Sequence, residues 1–187
     1  MEPLRADPKL APLVEEHGEI DLEPHPDPFR RLVVSIVNQQ LSTASAAAIR
    51  ERVFDRFEVT PAVLLSADED SLRETGLSAS KVEYVKNVAE AFEERPLTRE
   101  YFDGVPDGDV VSELTEIRGV GVWTAKMYLL FCLAREDVFP VEDLGIRRGM
   151  QLLYGEDLSR PEMVETAEAW RPYRSYASRY LWRAYEG

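Results

Sequence analysis

The chain has little of what a cross-linked, metal-built or membrane-borne protein needs. Its 187 residues include one cysteine and two histidines. Cys132 stands alone inside an apolar segment, which excludes an intrachain disulfide and a four-cysteine iron–sulfur cluster; it reads as a core thiol. His17 and His25 have no cysteine near them and read as surface residues, so no metal site built from side chains is expected. The longest wholly apolar run is Met127 to Ala134, far short of the roughly 20 residues that span a bilayer. The start, Met1-Glu2-Pro3-Leu4-Arg5, has no signal-peptide pattern. A cytoplasmic protein with no membrane partner is expected.

Positive charge is also scarce. There are 22 basic against 35 acidic residues, a formal net charge of −13, which taken whole argues against a polyanionic partner. The distribution argues the other way. Phe29 to Arg50, Ile117 to Arg135 and Ala169 to Tyr185 contain no Asp or Glu, yet carry ten Arg or Lys. An acidic shell around a locally basic face accounts for both facts. Only Lys9, Lys81, Lys86 and Lys126 are lysines. Few lysines among many surface acids suggest a halophile, a protein of a high-salt cytoplasm.

What is present is helical periodicity. At this length the chain can bury a core as one domain, in one lobe or two. Residues 1 to 28 hold six prolines and read as a short helix near Leu10 to Glu16 between extended segments. A helix from Phe29 to Val37 is followed by a polar break, Asn38-Gln39-Gln40-Leu41-Ser42-Thr43, and a helix with Ala46, Ile49, Val53 and Phe57 on one face. Two short helices follow between Pro61 and Glu74. Gly76-Leu77-Ser78 then opens a long helix to about Glu94 with Ser78 as N-cap. Pro172 to about Tyr185 is the last helix, with Tyr173, Tyr176, Ala177, Tyr180, Leu181 and Ala184 on one stripe and Trp182 off it.

The organising stretch is Leu114 to Lys126. Val110, Val111, Leu114 and Ile117 repeat at helical spacing before it, and Trp123 to Ala134 is apolar almost all round after it. Between them Gly119 and Gly121 allow a tight turn with positive φ and a close backbone approach. Amides of the turn and of the next helix's first residues, Val120 to Thr124, would then point outward to an anion such as a DNA phosphate, with Lys126 one turn on. Read alone, the hairpin could equally be a mere connector. Twenty-four residues after Gly119, beyond Phe139-Pro140-Val141-Glu142, comes Asp143, which opens another helical segment at Leu144. As an N-cap its role is structural; as a carboxylate it can do chemistry.

Together these motifs resemble the helix-hairpin-helix (HhH-GPD) superfamily of DNA glycosylases, and within it the 3-methyladenine DNA glycosylase II branch. Asn38-Gln39-Gln40-Leu41-Ser42-Thr43-Ala44, Gly76-Leu77-Ser78 with Lys81 and Tyr84, and Trp170-Arg171-Pro172-Tyr173 through Trp182 carry the resemblance to that branch. It covers about Phe29 to Tyr185.

The resemblance implies an all-α, two-lobed helical HhH-GPD fold in one domain, with lobe 1 at about 35–135, lobe 2 from about 1–34 plus 136–187, and Asp143 in the cleft. It implies a monofunctional DNA glycosylase of base excision repair. Such an enzyme flips an alkylated base such as 3-methyladenine out of double-stranded DNA and hydrolyses its N-glycosidic bond. Asp143 would oppose the positive charge that develops on the sugar and orient or deprotonate water. The family motif Asp-x-x-Ile selects Asp143 over Glu142, since Ile146 follows three residues later. Trp123 and Trp182 would line the base pocket, where electron-rich rings suit a cationic base. Met127 stands where an aromatic often lines that pocket. Gln40 would fill the gap left by the flipped nucleotide, and Gly119, Val120, Gly121, Thr124 and Lys126 would hold DNA.

Bifunctional members place a Schiff-base lysine where this chain has Trp123, so no lyase activity is expected. No cofactor is required. A monovalent cation, Na or K, at the carbonyls of Thr115, Ile117 and Val120 is implied by related families. The expected state is a monomer, associated with the nucleoid. Two other readings stay open: a monofunctional glycosylase for deaminated or mispaired bases, and a non-catalytic hairpin module that binds DNA.

Overall fold

The computed structural model describes residues 1–186, the side chain of Thr43 excepted. Among them there are twelve α-helices and no strand: α1 (Glu2–Ala6), α2 (Ala11–His17), α3 (Pro28–Asn38), α4 (Thr43–Arg56), α5 (Pro61–Ser66), α6 (Glu69–Glu74), α7 (Ala79–Glu94), α8 (Asp107–Thr115), α9 (Val122–Phe131), α10 (Leu144–Tyr154), α11 (Arg160–Glu168) and α12 (Arg174–Glu186). No helix among the described residues is long and apolar enough to cross a membrane.

Short polar side chains start most of these helices. Asp27, Ser42, Thr60, Asp68, Ser78 and Asp143 each accept the amide three residues on, so an otherwise orphaned donor of the first turn is bonded. Pro28 and Pro61 stand at first helical positions, where no amide is missed.

Two compact units result. The central unit is His25–Tyr128. In it α3 and α5 pack against α7, and α4 against α3. Phe29 meets Phe92 edge-on at 5.3 Å between ring centroids, and Leu32, Val33, Ile36, Val82, Val85 and Val88 are buried around that contact. The Tyr128 hydroxyl donates to the Leu97 carbonyl, which anchors the segment leading to α8.

The terminal unit joins Met1–Pro24 to the chain from Leu129 on. Its core is Leu4, Leu10, Val14, Phe139, Ile146, Met150, Met163, Trp170, Tyr180 and Leu181; burying each large side chain of this kind stabilises by about 1.5–3 kcal/mol. The proline-rich start is therefore structural. Asp7 accepts the Trp170 indole N–H at 2.8 Å, and Gly18 accepts the Tyr180 hydroxyl at 2.6 Å.

The unit boundaries lie at 24/25 and 128/129, whereas the sequence places them near 35 and 135. Helix α3 belongs to the central unit from its first residue, because its apolar face is covered by α7 and α4. Helix α12 starts at Arg174, two residues later than Pro172. Cys132 is buried, as a core thiol should be.

Candidate active site

In the terminal unit the site is built on the start of α10. Asp143 is its N-cap, and Oδ1 accepts the Ile146 amide at 3.0 Å. The same oxygen accepts the Trp182 indole N–H at 2.8 Å. Arg147 donates from Nη1 to the carbonyls of Val141 and Glu142, at 3.0 and 2.5 Å, which ties down the loop that delivers the carboxylate. Trp182 is half-buried and stacks on Phe131, with centroids 5.7 Å apart and an 18° interplanar angle. The Arg179 guanidinium lies 5.6 Å from the Phe131 ring centre. Burial, and then the charge of Arg183, lower the pKa of Arg179.

Two glycines that sequence reasoning passed over allow this arrangement. A Cβ at Gly145 would lie 2.8 Å from Trp182 Cδ1 and 3.1 Å from Asp143 Oδ1, and one at Gly149 would lie 2.5 Å from the Leu181 carbonyl oxygen. Spaced four apart on α10, they make one ridge on which α12 lies close. The spacing is visible in the sequence, but its partner is more than thirty residues away.

In the central unit the hairpin runs from the end of α8 to the start of α9. Gly119 has φ +103°, and a Cβ there would come within 2.3 Å of Tyr84 Cγ, so both backbone conformation and space require glycine. Gly121 differs from expectation. Its φ is outside the left-handed region, a Cβ would meet open space, and its carbonyl already accepts the Ala125 amide of α9. Neither conformation nor packing demands glycine there.

Val120 is buried, whereas Gly121 and Val122 are exposed. The first amides of α9 have no intrahelical acceptor, so this end of the hairpin can take an anion. Thr124 is buried and its hydroxyl accepts the Gln39 side-chain amide at 3.1 Å, which leaves only its backbone for a ligand. On the same helix Trp123 and Lys126 are half-buried and Met127 is buried. Ile117 sits in the turn and not in α8, and its carbonyl accepts the Val120 amide at 2.9 Å. Side chains occupy the two intervening carbonyls: Asn87 donates to Arg118 and Gln39 to Gly119.

The paired amides at the end of α3 divide their work. Gln39 is turned inward onto the hairpin. Gln40 is exposed and held at φ +56°, an uncommon conformation for a residue other than glycine. Lys81 donates from Nζ to the carbonyls of Val37 and Gln39, at 2.7 and 2.9 Å, and burial lowers its pKa. Sequence reasoning missed Gln39, Lys81, Tyr84 and Asn87 as parts of one assembly. The only signal was the wording of the segment Gly76 to Tyr84.

Several arginines of the acid-free stretches meet acids from elsewhere. Arg118 pairs with Glu83 at 2.5 Å, and Arg171 and Arg174 pair with both Asp137 and Glu168. The positive surface is smaller than the sequence count suggests. Among the described residues no group of three or more His, Cys, Asp or Glu could hold a metal ion.

Residues 33–174 match the HhH-GPD superfamily of base excision DNA repair proteins. The chain is 32% identical over 168 residues to DNA-3-methyladenine glycosylase 1 of Schizosaccharomyces pombe, covering 84% of this chain and 72% of that one. A crystal structure of DNA-3-methyladenine glycosidase from Bacillus halodurans superposes with a TM-score of 0.81 at 37% identity, covering 98% of this chain and 88% of the other. The S. pombe 3-methyladenine DNA glycosylase in complex with abasic DNA superposes with a TM-score of 0.85 at 28% identity, covering 98% and 96%. With a glycine-dependent hairpin and an aspartate capping the helix beyond it, the chain belongs to the HhH-GPD superfamily of base excision DNA repair proteins.

Proposed function

We propose that the protein is a monofunctional DNA glycosylase that releases alkylated bases such as 3-methyladenine from double-stranded DNA and leaves the abasic strand intact. The observation that carries this reading is the Asp143 carboxylate, fixed through one oxygen by the Ile146 amide and the Trp182 indole. The names of the related proteins support the substrate class.

In the proposed reaction the bond between the base and the sugar C1′ breaks, the base leaves with the bonding electrons, and positive charge develops on the sugar. The Asp143 carboxylate opposes that charge and orients or deprotonates the water that attacks C1′. A preset carboxylate does this without reorganising, which is where electrostatic catalysis gains most. The resemblance assigns Trp182, and Trp123 and Met127 on α9, to binding of the base, the indoles stacking on its cationic ring. Hairpin amides at Gly119 and from Gly121 to Thr124, but not that of Val120, which is spent on the Ile117 carbonyl, hold the backbone together with the Lys126 ammonium, while Gln40 fills the gap.

Trp123 at the position of the bifunctional enzymes' lysine supports hydrolysis alone. The carbonyls of Thr115, Ile117 and Val120 would hold a monovalent cation, which would steady the hairpin; that of Ile117 would do so alongside the bond it accepts from the Val120 amide. The protein acts as a monomer in a salt-rich cytoplasm, at the nucleoid.

The test is a panel of duplexes with single 3-methyladenine, 7-methylguanine, hypoxanthine, uracil or 8-oxoguanine lesions, followed with and without alkali. Release of methylated purines with breakage only after alkali is expected. Preference for uracil or hypoxanthine would assign the protein to deaminated bases. A borohydride-trapped adduct would contradict the monofunctional reading, and binding with no release at all would leave a DNA-binding module.

A further inference from the structure

We infer that Lys81 is a positioning residue that presets Gln40 for entry into DNA, through the carbonyls that lead into Gln40 and together with the Gln39 bridge to the hairpin. The inference rests on the proposed role of Gln40. It starts from a cost: a non-glycine residue in the left-handed region is strained and persists only where its surroundings over-determine it. Gln40 is exposed at φ +56°, so its neighbours must impose the conformation.

They do so from two sides. The Lys81 ammonium bonds the Gln39 carbonyl at 2.9 Å, and that carbonyl belongs to the peptide plane that enters Gln40. Its second bond, to the Val37 carbonyl at 2.7 Å, fixes the ammonium on the last turn of α3, where a cation is favoured by unsatisfied carbonyls. On the other side the Gln39 amide bonds the Gly119 carbonyl at 3.0 Å and the Thr124 hydroxyl at 3.1 Å. Residue 40 is thus the free end of a turn whose preceding residue is clamped by α7 through its backbone and by the hairpin through its side chain.

A helix cap alone would need only the Val37 bond. The bond to Gln39, one residue past α3, is what couples Lys81 to the wedge. A preset wedge avoids the ordering cost of a loop that must find its conformation at the moment of insertion. The same clamp ties the turn that carries the wedge to the turn proposed to hold phosphate, so the two advance on DNA as one body.

The experiment uses a duplex with 2-aminopurine beside a tetrahydrofuran abasic analogue, in which the fluorescence rise reads opening of the stack and no chemistry occurs. Lys81→Met, Gln40→Ala and the double variant are compared. About tenfold slower opening is expected for each single variant, and the double variant should lie within about twofold of Gln40→Ala, as for two residues acting through one step. Gln39→Leu, which removes the other side of the clamp, should behave as Lys81→Met does and keeps the test open should Lys81→Met fold poorly. The slope of log affinity against log salt should be unchanged in Lys81→Met.

Additive losses, unchanged opening in both clamp variants, or a slope reduced by about one, as when a phosphate contact is lost, would overturn the inference. If the wild-type protein opens the duplex but releases no methylated base from a lesion substrate, the proposed reaction fails while the role of Lys81 stands.

Discussion

The indole N–H of Trp182 and the amide of Ile146 converge on one oxygen of Asp143, at 2.8 and 3.0 Å. A side chain proposed to stack on the base is thereby bonded to the carboxylate proposed to face the sugar, and the helix cap fixes both. Asp143→Asn should therefore keep the structure, since an amide oxygen accepts the same two bonds. Base release is expected to fall by about a hundredfold or more, the scale of losing one preorganised electrostatic group, with duplex affinity retained. Single-turnover release and fluorescence anisotropy measure the two, and normal turnover would remove Asp143 from the mechanism.

Gly145 tests the same arrangement from below. In Gly145→Ala the new Cβ would stand 2.8 Å from Trp182 Cδ1 and 3.1 Å from the Asp143 oxygen, so the indole must shift and its bond lengthen. A stability loss of about 1–3 kcal/mol, usual for overpacking, is expected together with slower base release and unchanged duplex affinity. Urea unfolding and single-turnover rates check it. Full activity would show that the indole–carboxylate bond does not matter.

The two hairpin glycines should respond differently. Gly119→Val requires a β-branched residue at φ +103° and a Cβ 2.3 Å from Tyr84; duplex binding should weaken similarly for damaged and undamaged DNA, with a stability loss of about 2 kcal/mol or more. Gly121→Ala fits its conformation and meets nothing, so stability should stay within about 0.5 kcal/mol of wild type. If Gly121→Ala nevertheless loses duplex affinity, the DNA itself must come close there. Melting curves and anisotropy titrations separate these outcomes.

Asp137 sets a pH dependence in the terminal unit. Burial by itself raises its pKa, but hydrogen bonds from Arg174 and the charges of Arg174 and Arg171 outweigh burial, and the pKa lies below its ordinary 3.8. The folded state therefore favours the carboxylate, and this contribution to stability is present above the unfolded pKa of about 3.9 and is lost as pH falls through the lower folded value. Asp137→Asn should lose about 2 kcal/mol at pH 7, the scale of hydrogen bonds to a charged group, and the gap to wild type should close below pH 4. A gap independent of pH in urea titrations would contradict the assignment.

Salt tests the conflict between net charge and function. Phosphate contacts through cations weaken as salt rises, whereas repulsion within an acidic shell, carried here by a net charge of −13, is poorly screened at low salt. Base release and thermal stability are both expected to improve from dilute buffer to molar potassium chloride. A steady fall of both would remove the halophile reading and leave the glycosylase reading intact.

The sequence by itself determined whatever depends on neighbours a few residues apart. Ser78 and Asp143 cap helices as their types and positions foretold, because a side-chain oxygen needs only the amide three residues on. The turn at Gly119 was legible for the same reason. Only the tertiary structure decided what depends on partners far along the chain. It bound Gln39 to a hairpin 80 residues away and left Gln40 exposed, although the two amides are chemically identical. It made Gly121 dispensable to the turn and Gly145 and Gly149 indispensable to α12, since a glycine's need for space is set by what approaches it. It assigned Lys81 to two carbonyls 44 and 42 residues earlier. It also paired arginines of the acid-free stretches with Glu83, Asp137 and Glu168. Hydrogen bonds within one turn are encoded in spacing, whereas close approach and charge pairing between helices exist only once the chain has brought them together.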